Sequence, residues 1–334
     1  MKHQHLPILS KWSLSCIVVL FFYSGLYASS DPLNKPMRRP LSAIHPMWVI
    51  HIDTWIWPDP QKAIDLVPED IKPYVVFNIS LSVSDFVRSN YPFSIAESWL
   101  RTCAENRVWA TIQPASGYLC NFSYTELDVY EYFYKYPNFI GWNFAEQNWG
   151  FESTQTFFER LDLFIGLLKL ADKYGGYLFV SNFMPVGNQT NALGKLKLHP
   201  EFAEACKKFR KNHIVVDKYT FTNGFYDNES ANLGTFLSGY ADHYGVRFDE
   251  CGWESRSSNF PESTGAVSVL EHFMLTGATV TDGPELTWLQ TLKSEGTVPT
   301  TNGYTAKKFG VFPQFRNISM DIFRKVIDGT VPIL

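Results

Sequence analysis

Several β-rich runs in this sequence end on an acid with tryptophan close by, and those carboxyl groups are the residues best placed to do chemistry. Asp53 precedes Trp55 and Trp57, and Glu146 lies between Trp142 and Trp149. Asp249 and Glu250 come just before Trp253, and Asp282 and Glu285 just before Trp288. An acid at a strand end often caps the next helix or pairs with a lysine or arginine, but neither role calls for an indole beside it. Two carboxyls in an aromatic setting can split a glycosidic bond. One stays protonated and donates to the leaving oxygen, while the other is ionised and activates water or attacks the sugar carbon. Apolar rings raise a carboxyl pKa, so Glu146 is the expected proton donor. Asp249 and Glu285 share the basic role across from it. Asp249 and Glu250 are neighbours in a strand, so only one of them turns inward, and the residue pattern leaves that choice open.

Other residues fit the same chemistry less specifically. His51 and Asp53 alternate along one strand, so both can reach a sugar from one face, although a hydrogen-bonded core histidine is an equal reading. Asn78 and Lys218 suit sugar hydroxyls, or else satisfy backbone groups and nearby acids. Trp55, Trp57, Trp149, Trp253 and Trp288 offer flat faces on which pyranose C–H groups stack, with simple packing as the even alternative. His199 and His213 open a helix and a strand and read as structural. No group of His, Cys, Asp or Glu has metal-ligand spacing, so no metal and no cofactor is expected.

These side chains need a frame that delivers strand ends to one place. From residue 47 the sequence alternates β-rich and helical runs eight times. Strands are predicted at 47–53, 74–80, 109–115, 139–146, 177–182, 213–220, 246–250 and 278–282. Helices are predicted at 60–67, 95–106, 124–136, 154–174, 200–211, 230–244, 263–275 and 316–327. Most of the strands are near-continuous apolar runs, as in parallel sheets buried on both faces. Eight unbroken units point to an α/β fold closed as a (β/α)8 TIM barrel, a single catalytic domain over 41–334 with its reactive groups at the C-terminal strand ends. No Gly-x-Gly-x-x-Gly follows a strand, which argues against a dinucleotide-binding oxidoreductase.

The bulk properties agree. The chain has 334 residues, 45% of them hydrophobic and 16% aromatic, enough for a large core. A net charge of −4 gives no basic footprint for nucleic acid or anionic membrane. Lys2 and Lys11 precede an apolar run over 14–27, which ends in small residues near Ala28. That pattern predicts a signal peptide over 1–28, a linker over 29–40 and a secreted, periplasmic or cell-surface protein, with an uncleaved anchor as the alternative. Cys103, Cys120, Cys206 and Cys251 would remain after cleavage and are expected to be buried free thiols. Five Asn-x-Ser/Thr sequons begin at Asn78, Asn121, Asn188, Asn228 and Asn317. The expected partner is an oligosaccharide or polysaccharide substrate, and the expected state a monomer.

The segments 45–57, 65–80 and 141–151, together with Phe248-Asp-Glu-Cys-Gly-Trp253 and Asp282-Gly-Pro-Glu285, resemble glycoside hydrolase family 98. The resemblance extends over about 40–334. It implies a (β/α)8 catalytic domain, an inverting endo-acting mechanism, and activity of the endo-β-galactosidase type on blood-group glycans or of the endo-xylanase type. It also implies that Glu146 is the general acid and that Asp249 with Glu285 activate water. The resemblance also implies a β-sandwich after the barrel, for which the sequence as read is expected to leave no room. The competing reading is therefore a carbohydrate-binding barrel whose catalysis is lost or impaired by truncation.

Overall fold

A computed structural model describes residues 36–54, 59–81, 93–114, 129–145, 147, 154–181, 196, 199–219, 225–248, 267–282, 297–299, 305–307 and 320–334. Nine parallel strands follow one another: β1 (Met47–Asp53), β2 (Val75–Ser80), β3 (Trp109–Gln113), β4 (Phe139–Phe144), β5 (Tyr177–Val180), β6 (His213–Val215), β7 (Lys218–Tyr219), β8 (His243–Phe248) and β9 (Val280–Asp282). Each strand from β1 to β6 pairs with the next, β1 also pairs with β9, and β9 with β8. Pairing of β6 with β8 closes the ring, while the short β7 prolongs the sixth staves of the barrel alongside β8. The result is a closed eight-stranded parallel barrel, as the alternating sequence pattern predicts.

The helices lie between the strands: α1 (Pro60–Asp65), α2 (Phe93–Glu105), α3 (Val129–Lys135), α4 (Thr154–Tyr174), α5 (Pro200–Lys208), α6 (Phe225–Leu237), α7 (Val267–Leu275) and α8 (Met320–Ile327). A separate antiparallel pair, β10 (Thr297–Pro299) and β11 (Thr305–Lys307), follows β9. The period of two along each strand divides its side chains between two cores. Trp48, Ile50, Ile52, Trp142 and Phe144 turn outward into the layer shared with the helices. There Trp48 of β1 stacks on Phe323 of α8 at 4.0 Å, joining the first strand to the last helix. Met47, Val49, Val76, Ile140, Tyr177, Phe179, Ile214, Val216 and Val280 form the second core, the apolar floor of the bore.

Two expectations are corrected. The helix predicted over 230–244 stops at Leu237, and β8 begins at His243 rather than 246. Gly239 takes a left-handed φ of 74° there, and its amide and that of Tyr240 bond back to Phe236 and Thr235, ending the helix. Trp142, expected beside the proton donor, instead packs edge-on against Phe139 and Tyr132 of α3, on the helix side of β4. It contributes to the core and gives no apolar wall to the bore.

Candidate active site

The upper half of the bore is polar where the lower half is apolar. Continuing the inward parity, β1 delivers His51, β2 Asn78 and Ser80, β3 Thr111 and Gln113, β8 Arg247 and β9 Asp282, while on β4 a register irregularity between Ile140 and Gly141 resets the parity and turns Asn143 inward. All are buried, so each polar atom needs a partner within the bore. Four of them close a ring of hydrogen bonds. Asn78 Nδ2 donates to Gln113 Oε1 at 3.0 Å and lies 3.1 Å from His51 Nδ1. Arg247 Nη1 donates to the same Gln113 oxygen at 2.9 Å, and Arg247 Nη2 lies 3.1 Å from the same His51 nitrogen. Thr111 donates to Asn78 Oδ1 at 3.2 Å.

This ring fixes the histidine tautomer. A guanidinium has no acceptor, and the Asn78 amide nitrogen can only donate, so His51 Nδ1 must accept from both. The ring hydrogen therefore sits on Nε2. Sequence reasoning placed His51 and Asn78 at the site, and the structure brings them together. Asn78 commits its whole amide to His51, Gln113 and Thr111, which also leaves its sequon buried in the barrel.

A second bond spans the bore. Asn143 Nδ2 on β4 donates to Asp282 Oδ2 on β9 at 2.9 Å. Around the ring of eight strands β4 and β9 stand opposite one another. Arg247 Nη1 lies 3.5 Å from the same Asp282 oxygen and compensates its charge. Asn143 Oδ1 and Asp282 Oδ1 are buried acceptors with no hydrogen-bond partner, so this layer can take two further donors.

Glu146, Asp249 and Glu285 lie outside the described residues, as do Trp55, Trp57, Trp149, Trp253 and Trp288. Their strands are described: Glu146 comes directly after Ala145 at the end of β4, Asp249 directly after the end of β8, and Glu285 three positions past the end of β9. Asp53 and Lys218 are placed by their backbone, Asp53 opposite Ser80 and Lys218 opposite Arg247. Arg247, Gln113 and Asn143 are bore residues that the sequence reading missed. The available signal was a lone arginine or amide inside a run otherwise fit for burial on both faces.

The remaining predicted polar residues are structural. His199 caps α5 by accepting from the Phe202 amide at 3.1 Å, and His213 Nδ1 lies 2.8 Å from the Tyr240 carbonyl. Cys103 and Cys206 are buried free thiols, while Cys120 and Cys251 lie outside the described residues. Burial pushes the Cys103 thiol up to about 12 and Cys206 higher still. Among the described residues no cluster of three metal-ligating side chains occurs, and no helix is long and apolar enough to cross a membrane.

Comparison with known proteins bears on the same region. A family model described as glycosyl hydrolase family 98 matches residues 35–332. The fold is similar to that of the catalytic module of a family 98 glycoside hydrolase from Streptococcus pneumoniae TIGR4 in complex with the H-disaccharide blood group antigen. That match has a TM-score of 0.66 and 17% identity, covering 90% of this chain and 54% of the other. A module from the same organism in complex with the LewisY pentasaccharide blood group antigen gives a TM-score of 0.65, 17% identity and coverage of 90% and 54%. The chain thus spans about half the length of those proteins. No curated protein sequence matches it.

Proposed function

The chain belongs to glycosyl hydrolase family 98, and from that premise we propose that it is an inverting, endo-acting glycoside hydrolase. Glu146 protonates the leaving glycosidic oxygen, and Asp249 with Glu285 hold and deprotonate the attacking water. The substrate class is a complex glycan, a blood-group-type β-galactoside or xylan. Export through the signal-like segment over 1–28 would bring the enzyme to such glycans.

The observation that carries this reading is the bond between Asn143 and Asp282. It ties the ends of two opposite strands across the bore, and Glu146 and Glu285 follow those two ends in sequence. An inverting pair needs its carboxyls on opposite sides of the sugar, roughly 6.5–9.5 Å apart, so that water fits between. Acids following adjacent strands would suit this poorly; acids following β4 and β9 suit it well.

The test uses purified protein on xylan and on A- and B-type oligosaccharides. Glu146→Gln should lower turnover on the order of 10²–10⁴-fold while glycan binding persists. Unchanged turnover in that variant refutes the acid assignment. NMR of the newly released anomer should show inversion, and retention refutes the mechanism.

A further inference from the structure

The end of β4 breaks a pairing rule that three other strand ends obey. In a parallel ladder a carbonyl accepts from the amide one position beyond its own partner. Asp53 pairs with Ser80, and the Thr54 amide donates to Ser80 O at 3.2 Å. Ser80 pairs with Gln113, and Leu81 donates to Gln113 O at 2.9 Å. Val215 pairs with Val180, and Val216 donates to Val180 O at 3.1 Å. On β4, Phe144 pairs with Val180 and its carbonyl accepts from the Ser181 amide at 2.9 Å, which sets Ala145 opposite Ser181. The rule then calls for the amide of position 146 at Ser181 O. The Gln147 amide, one position further, donates there at 3.0 Å. At this point β4 carries one residue more than β5, so positions 145 and 146 share the single partner Ser181. That is a β-bulge.

The extra residue matters because of where alternation would send the acid. Asn143 turns into the bore and bonds to Asp282, whereas Phe144 turns out and meets Phe164 of α4 edge-on at 5.0 Å. Unbroken alternation would give Ala145 the bore and position 146 the helix layer, on the same side as Trp142 and Phe144. A carboxyl there would meet apolar rings and no sugar. A bulge breaks the alternation and re-aims a side chain, which returns position 146 to the bore.

Gln147 holds the bulge shut. It is 2% exposed, and Ala145 is 1% exposed. Its Nε2 donates to Ala145 O at 2.5 Å, so the side chain closes a loop over position 146 while the amide anchors the far side to β5. Its Oε1 is buried with no hydrogen-bond partner among the described residues. An unmet buried amide oxygen costs stability, so an apolar side chain of similar size would serve packing better. What glutamine adds is the donor to Ala145 O.

We propose that Gln147 is the positioning residue for the general acid: by locking the bulge it turns the Glu146 carboxyl from the helix layer into the bore. The inference rests on the reading of Glu146 as that acid, whereas the bulge and its lock stand without it.

The test measures turnover by full-chain variants on xylan and A- and B-type oligosaccharides, and on dinitrophenyl β-xyloside and β-galactoside. Dinitrophenolate leaves without a proton, so the aryl substrates do not need the acid. Gln147→Met keeps the bulk and removes the donor. Its kcat on glycan should fall about 10–100-fold with KM within about twofold, as expected for an acid misplaced by about 1 Å. Its kcat on the aryl glycoside should stay within about threefold of wild type. A purely structural role would move both substrates alike. Gln147→Glu has the native shape and keeps the test open if Gln147→Met does not fold. Protonated, its carboxyl donates to Ala145 O; ionised, it repels that carbonyl. Its glycan kcat relative to wild type should therefore rise as pH falls through the carboxylate range. Parallel losses on both substrates, or Gln147→Glu tracking the wild type at every pH, overturns the positioning role. Lost turnover in Glu146→Gln beside wild-type behaviour in Gln147→Met overturns that role alone. Unchanged turnover in Glu146→Gln, or a wild type inactive on every glycan named, overturns the acid and the positioning role together.

Discussion

The Arg247–Asp282 pair should behave as one electrostatic unit, and a double-mutant cycle will show whether it does. Both side chains are at most 2% exposed, with Nη1 and Oδ2 3.5 Å apart. At that separation and an effective dielectric near 20, two unit charges attract by about 5 kcal/mol, most of which is offset by the desolvation of both ions. Arg247→Met takes the guanidinium from Asp282 and removes one donor each from His51 Nδ1 and Gln113 Oε1. Asp282→Asn preserves the shape and an acceptor for Asn143, but removes the carboxylate beside the guanidinium. Each single change should cost about 3 kcal/mol, as expected for breaking a buried pair from one side. Independent effects would sum to about 6 kcal/mol, whereas the double variant should lose about 4, a coupling of about 2 kcal/mol. Urea unfolding followed by tryptophan fluorescence measures this, provided that the denaturant slope is constant across the four proteins. A coupling below about 0.5 kcal/mol would mean that the two sites act independently. The bore would then not be held by this pair, and the account of its polar half would fail.

Further expectations follow from burial, backbone and charge. Cys103 titrates at about 12 in the folded chain against 9.0 as its ordinary value, and Cys206 is shifted the same way. Above pH 9.0 the unfolded chain loses those protons first, so stability falls by about 1.4 kcal/mol per pH unit per thiol until the folded groups ionise. Cys103→Ala should flatten the stability slope between pH 9 and about 11 by one proton, and an unchanged slope would contradict the burial argument. Gly141→Ala should abolish soluble folding, since a Cβ there would lie 1.8 Å from Tyr177 O at a φ of 141°; a wild-type circular dichroism melt would refute it. Arg324→Ala, which breaks the exposed bridge from α8 to Asp70 at 2.7 Å, should cost under about 1 kcal/mol in the same urea assay.

The barrel was legible because eight buried parallel strands write eight apolar runs, and the runs at 47–53 and 154–174 match β1 and α4 residue for residue. What escaped were breaks set by backbone conformation rather than by hydrophobicity. Residues 238–244 continue a helical rhythm, yet the left-handed turn at Gly239 ends α6 and frees His243 to begin β8. Trp142 was misread for a related reason. Proximity in sequence to Glu146 suggested proximity in space, but side chains on a strand alternate, and Trp142 shares the outward face with Phe144.

That alternation is what the bore chemistry rests on. Inward positions of β1, β2, β3, β8 and β9 change from apolar to polar within one two-residue step: Val49 to His51, Val76 to Asn78, Val280 to Asp282. A change of this kind toward the C-terminal ends of several strands is not explained by packing, because an all-apolar bore would fill the same volume without buried charge. The network instead holds His51 Nδ1 as an acceptor and Asp282 against Arg247, so both side chains have fixed orientations before any ligand arrives. Preorganised groups of this kind favour a site over a plug, since orientation that is already set need not be paid for during binding. Sequence could name His51 and Asn78 from strand parity; it could not name Arg247 as their partner, because 196 residues separate Arg247 from His51 and only closure of the barrel brings them together.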